Sequence, residues 1–227
     1  MWKQQFTSIH QQSPEPASTS KEWSDKPVNH TDGYKIVIVL DESASMETIE
    51  NDMRKALNGL ILEQKTVDRK CYFTLVKFNH TIRRVIANKN LKCITEITTK
   101  DYTPKGSTAL FDAVGDTINW FRYERDVLLV VITDGQENSS KKYHKPDVMK
   151  MLKEKEDYCD WSYVYLGCDI QTSRQGNTMG FKKSAQISNC CVKQSSYGNF
   201  IADDLNCAIK NRRTQGISVQ SQLNQKY

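Results

Sequence analysis

The chain has 227 residues and a formal net charge of +5. That is enough for one ordinary domain with extensions, and too mild a charge to point to nucleic acid. Hydrophobic residues make up 38%, which fits a core diluted by polar ends, and no apolar run approaches the roughly 20 residues of a membrane helix.

The seven cysteines (Cys71, Cys93, Cys159, Cys168, Cys190, Cys191 and Cys207) are odd in number and contain no C-x-x-C pair. Buried free thiols in a reducing, cytoplasmic setting are therefore expected rather than disulfides or zinc. Met1-Trp2-Lys3-Gln4-Gln5 has no apolar region behind its charge, so no secretory signal is expected. Residues 1–32 are rich in Ser, Gln, Thr and Pro and read as a disordered arm, with Trp2, Phe6 and Trp23 as exceptions.

From Tyr34 onward strand and helix patterns alternate, which bounds a domain over residues 33–214. The first strand runs from Tyr34 to Leu40. Helical spacing follows at Met46, Ile49, Met53, Leu57, Leu60 and Ile61. Tyr72 to Phe78 is a second strand, and Asn79-His80 turns tightly into a third, Thr81 to Ile86. So short a connection joins only antiparallel strands, and charged Arg83 and Arg84 suit a sheet edge. A helix from Ala109 to about Tyr123 carries Leu110, Val114, Ile118 and Phe121 on one face. Val127 to Ile132 is a fourth strand. A helix opens at Pro146, and Trp161 to Leu166 is a fifth strand. Gly167 to Gly180 reads as a loop or short helix, Ala185 to Ser188 as a last short strand, and Tyr197 to Lys210 as a last helix. Residues 215–227 read as a polar tail. Strands that are apolar on both faces and alternate with helices specify a parallel sheet covered on both sides. Ligands of such sheets bind beyond the carboxyl ends of the strands, where strand order reverses.

Three polar motifs fall on loops that can reach that edge. Asp41-Glu42-Ser43-Ala44-Ser45 ends the first strand, Gly106-Ser107-Thr108 precedes a helix, and Thr133-Asp134-Gly135 ends the fourth strand. Asp41, Ser43 and Ser45 alternate, so a turn can point them at one centre. Thr108 and Asp134 would approach from two other loops. Carboxylates and hydroxyls suit a hard cation such as Mg²⁺, which takes about six oxygens at roughly 2.0–2.1 Å. With only two charged ligands, the metal would stay electrophilic towards an outside carboxylate. Taken singly, each piece also reads as ordinary turn and cap chemistry. Their ordered combination at one edge favours the metal site.

Those five residues resemble, in type and order, the metal-ion-dependent adhesion site of von Willebrand factor type A domains. Asp101 to Gly115, Val131 to Asn138 and Trp161 to Gly167 are similar to segments of its short intracellular members. The resemblance implies an α/β, Rossmann-like, doubly wound sheet of about six strands with one antiparallel edge and helices on both faces. It implies a non-catalytic protein–protein interaction module in which Mg²⁺ or Mn²⁺ bridges the domain to an Asp or Glu of a partner. Ser43 and Ser45 would ligate directly, Thr108 directly in the engaged state, and Asp41 and Asp134 mainly through waters. Asp112 and Glu137 read as groups supporting the ligands from behind, as rim groups, or as a solvated helix start or loop.

Three rival readings stand beside this one. A metal-dependent phosphohydrolase with an aspartate nucleophile would need a second carboxylate two residues on, where this chain has Ser43. A scaffold could hold the metal for structure alone. A basic tail with Lys210, Arg212 and Arg213 gives weak support for nucleic acid. Nothing in the sequence points to a membrane, and the oligomeric state stays open.

Overall fold

A computed structural model describes residues 32–167, 175–179, 181 and 196–226. β1 (Tyr34–Asp41), β2 (Cys71–Phe78), β3 (Ile82–Asn90), β4 (Val127–Thr133) and β5 (Ser162–Gly167) form one sheet in the order β3-β2-β1-β4-β5. All neighbours pair in parallel except β2 and β3. The Asn79-His80 turn thus makes the antiparallel edge that its length requires. The expected strand at Ala185 to Ser188 lies outside the described residues, as does the arm up to residue 31.

Helices among the described residues include α1 (Glu50–Lys65), α2 (Leu110–Trp120), α3 (Lys145–Cys159), α4 (Ser196–Asn199), α5 (Asn206–Gln215) and α6 (Val219–Lys226). A 3₁₀ segment at Ala44–Ile49 leads into α1, and a π-helical segment at Phe200–Leu205 joins α4 to α5. Alternation along the central strands sorts their side chains into two cores. Ile36, Ile38, Leu40, Leu128, Val130 and Ile132 pack with α1 and the C-terminal helices. Val37, Val39, Leu129 and Val131 pack with α2 and α3. Each such side chain contributes about 1.5–3 kcal/mol when fully buried, so the sheet centre is anchored from both faces.

The segment after Gln215 departs from the sequence reading. It is helical over Val219–Lys226, with Val219 and Leu223 both buried in the first core. Two apolar residues four apart suffice to anchor a short helix whose remaining faces are polar. Gly216 (φ +76°) makes the left-handed turn that ends α5 and lets the chain fold back. Arg213 is also not part of an exposed basic tail. It is buried, and its guanidinium donates to the carbonyls of Gln64, Val67 and Arg69 at 2.6, 3.1 and 2.6 Å. These carbonyls lie at and just beyond the C-terminus of α1, where a cation also meets the negative end of the helix dipole.

Strand order reverses between β1 and β4, the strands on whose carboxyl ends Asp41 and Thr133 stand.

Candidate metal centre

β1 carries Asp41 to the edge of the sheet with its side chain fully buried. Its carboxylate accepts from the Ser43 N–H at 2.7 Å and from Thr133 Oγ1 at 2.6 Å. The chain therefore turns immediately, and Ser43 and Ser45 project on one side, with their Oγ atoms 3.1 Å apart. Ser45 Oγ donates to Asp134 Oδ1 at 2.5 Å across the gap between β1 and β4. Thr108 enters from a third loop and is buried.

Gly135 shows how closely these groups meet. A Cβ on that residue would stand 2.5 Å from Thr108 Oγ1, 3.2 Å from Asp41 Oδ2 and 3.4 Å from Ser43 Oγ. Only the absence of a side chain leaves that space open. The structure thus brings all five sequence-derived residues to one cradle.

The reading of these residues as plain caps is not what the geometry shows. Ser43 stands at the N-cap of the 3₁₀ segment but makes no side-chain cap bond. The N-cap of α2 is Ala109, not Thr108. Thr108 Oγ1 has no hydrogen-bond partner among the described residues. The orphan N–H groups of α2 are served elsewhere: Phe111 N donates to Glu137 at 2.9 Å and Asp112 N to Ser140 Oγ at 3.1 Å.

Glu137 and Asp112 are both half-buried, and of the readings open to them the supporting one fits their bonds. Glu137 also accepts from the N–H groups of Ser139 and Ser140, and Asp112 from those of Lys141, Lys142 and Tyr143. Together they fasten the loop after Asp134 to the start of α2. Asn138 completes that seam by accepting from Thr108 N at 3.0 Å.

Two residues that sequence reasoning passed over hold the site in place. Thr133 orients Asp41, as given above. Glu42 is 1% exposed and forms ion pairs with Lys77 at 2.7 Å and with Arg83. It also accepts from Thr103 N at 3.0 Å, while its own main chain bonds to Phe78 and Lys105. It ties the first motif to β2, β3 and the loop that carries Thr108. The available signal was alternation, since residue 42 must point away from the centre that 41 and 43 face. Tyr102 adds a bond to the Asp41 carbonyl at 2.9 Å. Gly106, at φ +86°, takes the left-handed turn that starts the Thr108 approach.

Asp41 is a buried carboxylate with no cation bonded to it among the described residues. Burial pushes the Asp41 carboxyl up to about 6, against the hydrogen bonds from Thr133 and Ser43, and the nearby charge of Asp134 adds to the rise. Lys77 and Arg83 are engaged by the neighbouring Glu42. Among the described residues no three His, Cys, Asp or Glu side chains gather as a metal cluster. This site differs in kind, with two carboxylates and three hydroxyls, and that all-oxygen set suits a hard divalent ion.

The sequence of residues 35–204 matches the von Willebrand factor type A domain. No curated protein matches the chain at a significant level. Solved structures with the same fold include the mussel byssus proximal thread matrix protein 1 with a zinc-occupied metal-ion-dependent adhesion site. It is 14% identical, with TM-score 0.52 over 78% of this chain and 46% of that one. The ArnB paralog VWA2 of Sulfolobus acidocaldarius is 15% identical, with TM-score 0.52 over 77% and 45%. The PilB minor pilin of Streptococcus sanguinis is 11% identical, with TM-score 0.60 over 83% and 64%. The chain spans about half the length of the first two and somewhat more of the pilin, and at these identities the likeness is one of fold. With a match over most of its length and the sheet order described above, the chain belongs to the von Willebrand factor type A domain family, a family of protein-interaction modules.

Proposed function

We propose that this domain captures a protein partner through a divalent cation, Mg²⁺ or Mn²⁺, held by Asp41, Ser43, Ser45, Thr108 and Asp134. The observation that carries the reading is the cradle around Gly135, where oxygens from three loops face one small space. A bound cation would supply a Lewis-acidic centre for a carboxylate from outside. The chain's own residues do the rest. Asp41 is fixed by Thr133 and Ser43 N–H, so its carboxylate is oriented before any ion arrives. Ser43 and Ser45 add neutral oxygens that leave positive charge on the ion. Glu42 holds the loop with charge directed away from the site.

The reading is non-catalytic. A phosphohydrolase of the aspartate type needs an acid–base group two residues after its nucleophile, and that place holds Ser43. No helix among the described residues is long and apolar enough to cross a membrane, and the acidic residue we propose as the recognised group belongs to a protein. Cys71, Cys93, Cys159 and Cys207 are unpaired thiols, and on that ground we place the protein in a reducing compartment.

The test is affinity capture with the full chain in Mg²⁺, in chelator, and with Asp134→Ala. Partners retained only by wild type in Mg²⁺ support the reading. Capture that survives both chelator and the substitution contradicts it and leaves a scaffold whose metal is structural.

A further inference from the structure

The opposite edge of the sheet holds a second feature. A cleft of about 380 Å³ opens where the strands begin. It is lined by Asp32 and Gly33 ahead of β1, Arg69 and Lys70 ahead of β2, and Arg125 and Asp126 ahead of β4, with the buried Lys35. β1 has eight residues, so this cleft lies roughly 26 Å from the metal motif at about 3.3 Å per residue. It is a separate site.

Pairing off its charges leaves a positive surplus. Lys35 is matched by Glu124 at 2.8 Å, both buried. Asp126 is held by two nitrogens of Arg212, at 3.1 and 2.6 Å. Arg125 pairs with Asp160 at 3.1 Å. Arg69 and Lys70 remain, both exposed, and neither pairs with a carboxylate among the described residues; Arg69 donates only to the Arg213 carbonyl, at 3.3 Å. Asp32 alone opposes them. Directly behind stands Arg213, 3% exposed, bonded to carbonyls and to Gln64 Oε1, with no carboxylate partner among the described residues and no partner for its Nε. Burial lowers the Arg213 pKa, and the charge of Arg69 lowers it further. Arg213 donates to the Arg69 carbonyl, and its own carbonyl accepts from the Arg69 guanidinium, so the two arginines adjoin behind the cleft.

Structural arginine clusters are normally compensated by carboxylates, because uncompensated like charges raise the energy of the fold. For Arg69 and Lys70 no carboxylate partner stands among the described residues, and an anion bound in the cleft would supply that compensation. A planar guanidinium and an adjacent ammonium match a multiply charged oxyanion better than a single carboxylate. Gly33 keeps the space clear. At φ +130° its hypothetical Cβ would lie 2.9 Å from the Lys70 carbonyl oxygen, so no side chain can stand there.

We propose that this cleft binds a small phosphorylated ligand, with Arg69 and Lys70 as the cations that hold its phosphate. The site is independent of the metal-bridged reading and can fail or stand without it.

The probe is inorganic pyrophosphate, titrated by calorimetry into full-length protein stripped of divalent metal, with succinate at equal ionic strength as the dicarboxylate control. The test variant is Arg69→Gln with Lys70→Gln, both at exposed positions, with its fold checked by circular dichroism. We expect saturable one-to-one binding below roughly 1 mM, weakened about tenfold or more in the double variant, with succinate far weaker. No saturable binding up to about 10 mM, equal affinity in the folded double variant, or equal binding of succinate would each overturn the proposal.

Discussion

The two edges of one sheet are built from opposite chemistry. At the carboxyl edge, short side chains meet: two carboxylates and three hydroxyls converge, and the long cations nearby are turned away towards Glu42. At the amino edge, long cations dominate, and three of them are consumed in the pairs Lys35–Glu124, Arg125–Asp160 and Arg212–Asp126. The difference separates groups that hold the fold from groups left available to bind. Glu42 and Glu124 are as buried as Asp41, yet each faces its own cations, whereas Asp41 faces hydroxyls and another carboxylate. Burial of a charge does not mark a site; burial without a counter-charge does.

The sharpest way to break this contrast is to remove the counter-charge where it is structural. Glu42→Ala leaves Lys77, which is nearly buried, without its partner and frees the loop bearing Thr108. The expected loss is about 3–5 kcal/mol in chemical denaturation. Loss of metal affinity without loss of stability would instead make Glu42 part of the site. Next in size is Leu223→Ala, which tests whether the C-terminal helix belongs to the core. With Leu223 buried against the first core, the expected cost is about 2–4 kcal/mol; a surface tail would show almost none.

Gly135→Ala probes the cradle itself. The added methyl would lie 2.5 Å from Thr108 Oγ1, so metal affinity should fall about tenfold or more, while stability changes by roughly 1 kcal/mol. Unchanged affinity would show that the ion sits elsewhere.

The smallest expected effect lies at the amino edge and in alkaline solution. Burial pushes the Cys71 thiol up to about 12 from an ordinary 9.0, partly offset by Arg213. The folded state therefore keeps the proton while the unfolded state loses it. This group's contribution to stability is full below about pH 9 and declines as pH rises towards 12. Cys71→Ala should flatten that decline measurably between about pH 8 and pH 10, and in the native protein alkylating reagents should reach the exposed Cys93 and Cys207 well before Cys71.

Much of the fold was readable because the central strands are buried on both faces and so appear as unbroken apolar runs. The β3 edge was readable because a two-residue connection leaves no other geometry. That the five residues of the candidate site would meet was readable for a related reason: the ends of such strands place polar residues at one edge, and alternation fixes their sides. The parts missed depend on long-range pairing. Nothing local says that Glu42 will meet Lys77 and Arg83, or that Glu137 will reach back to cap α2. The C-terminal helix escaped because two apolar residues among polar ones give too weak a periodicity, and its stability comes from a core built by residues far away in sequence.

The central claim is that Asp41, Ser43, Ser45, Thr108 and Asp134 form a divalent-cation site. Calorimetric titration of Mg²⁺ and Mn²⁺ into the purified chain, beside Asp41→Ala and Asp134→Ala, tests it most directly. Saturable one-to-one binding that disappears in both folded variants is the predicted result. Binding of equal strength in the variants, or none in the folded wild-type protein, would contradict the account.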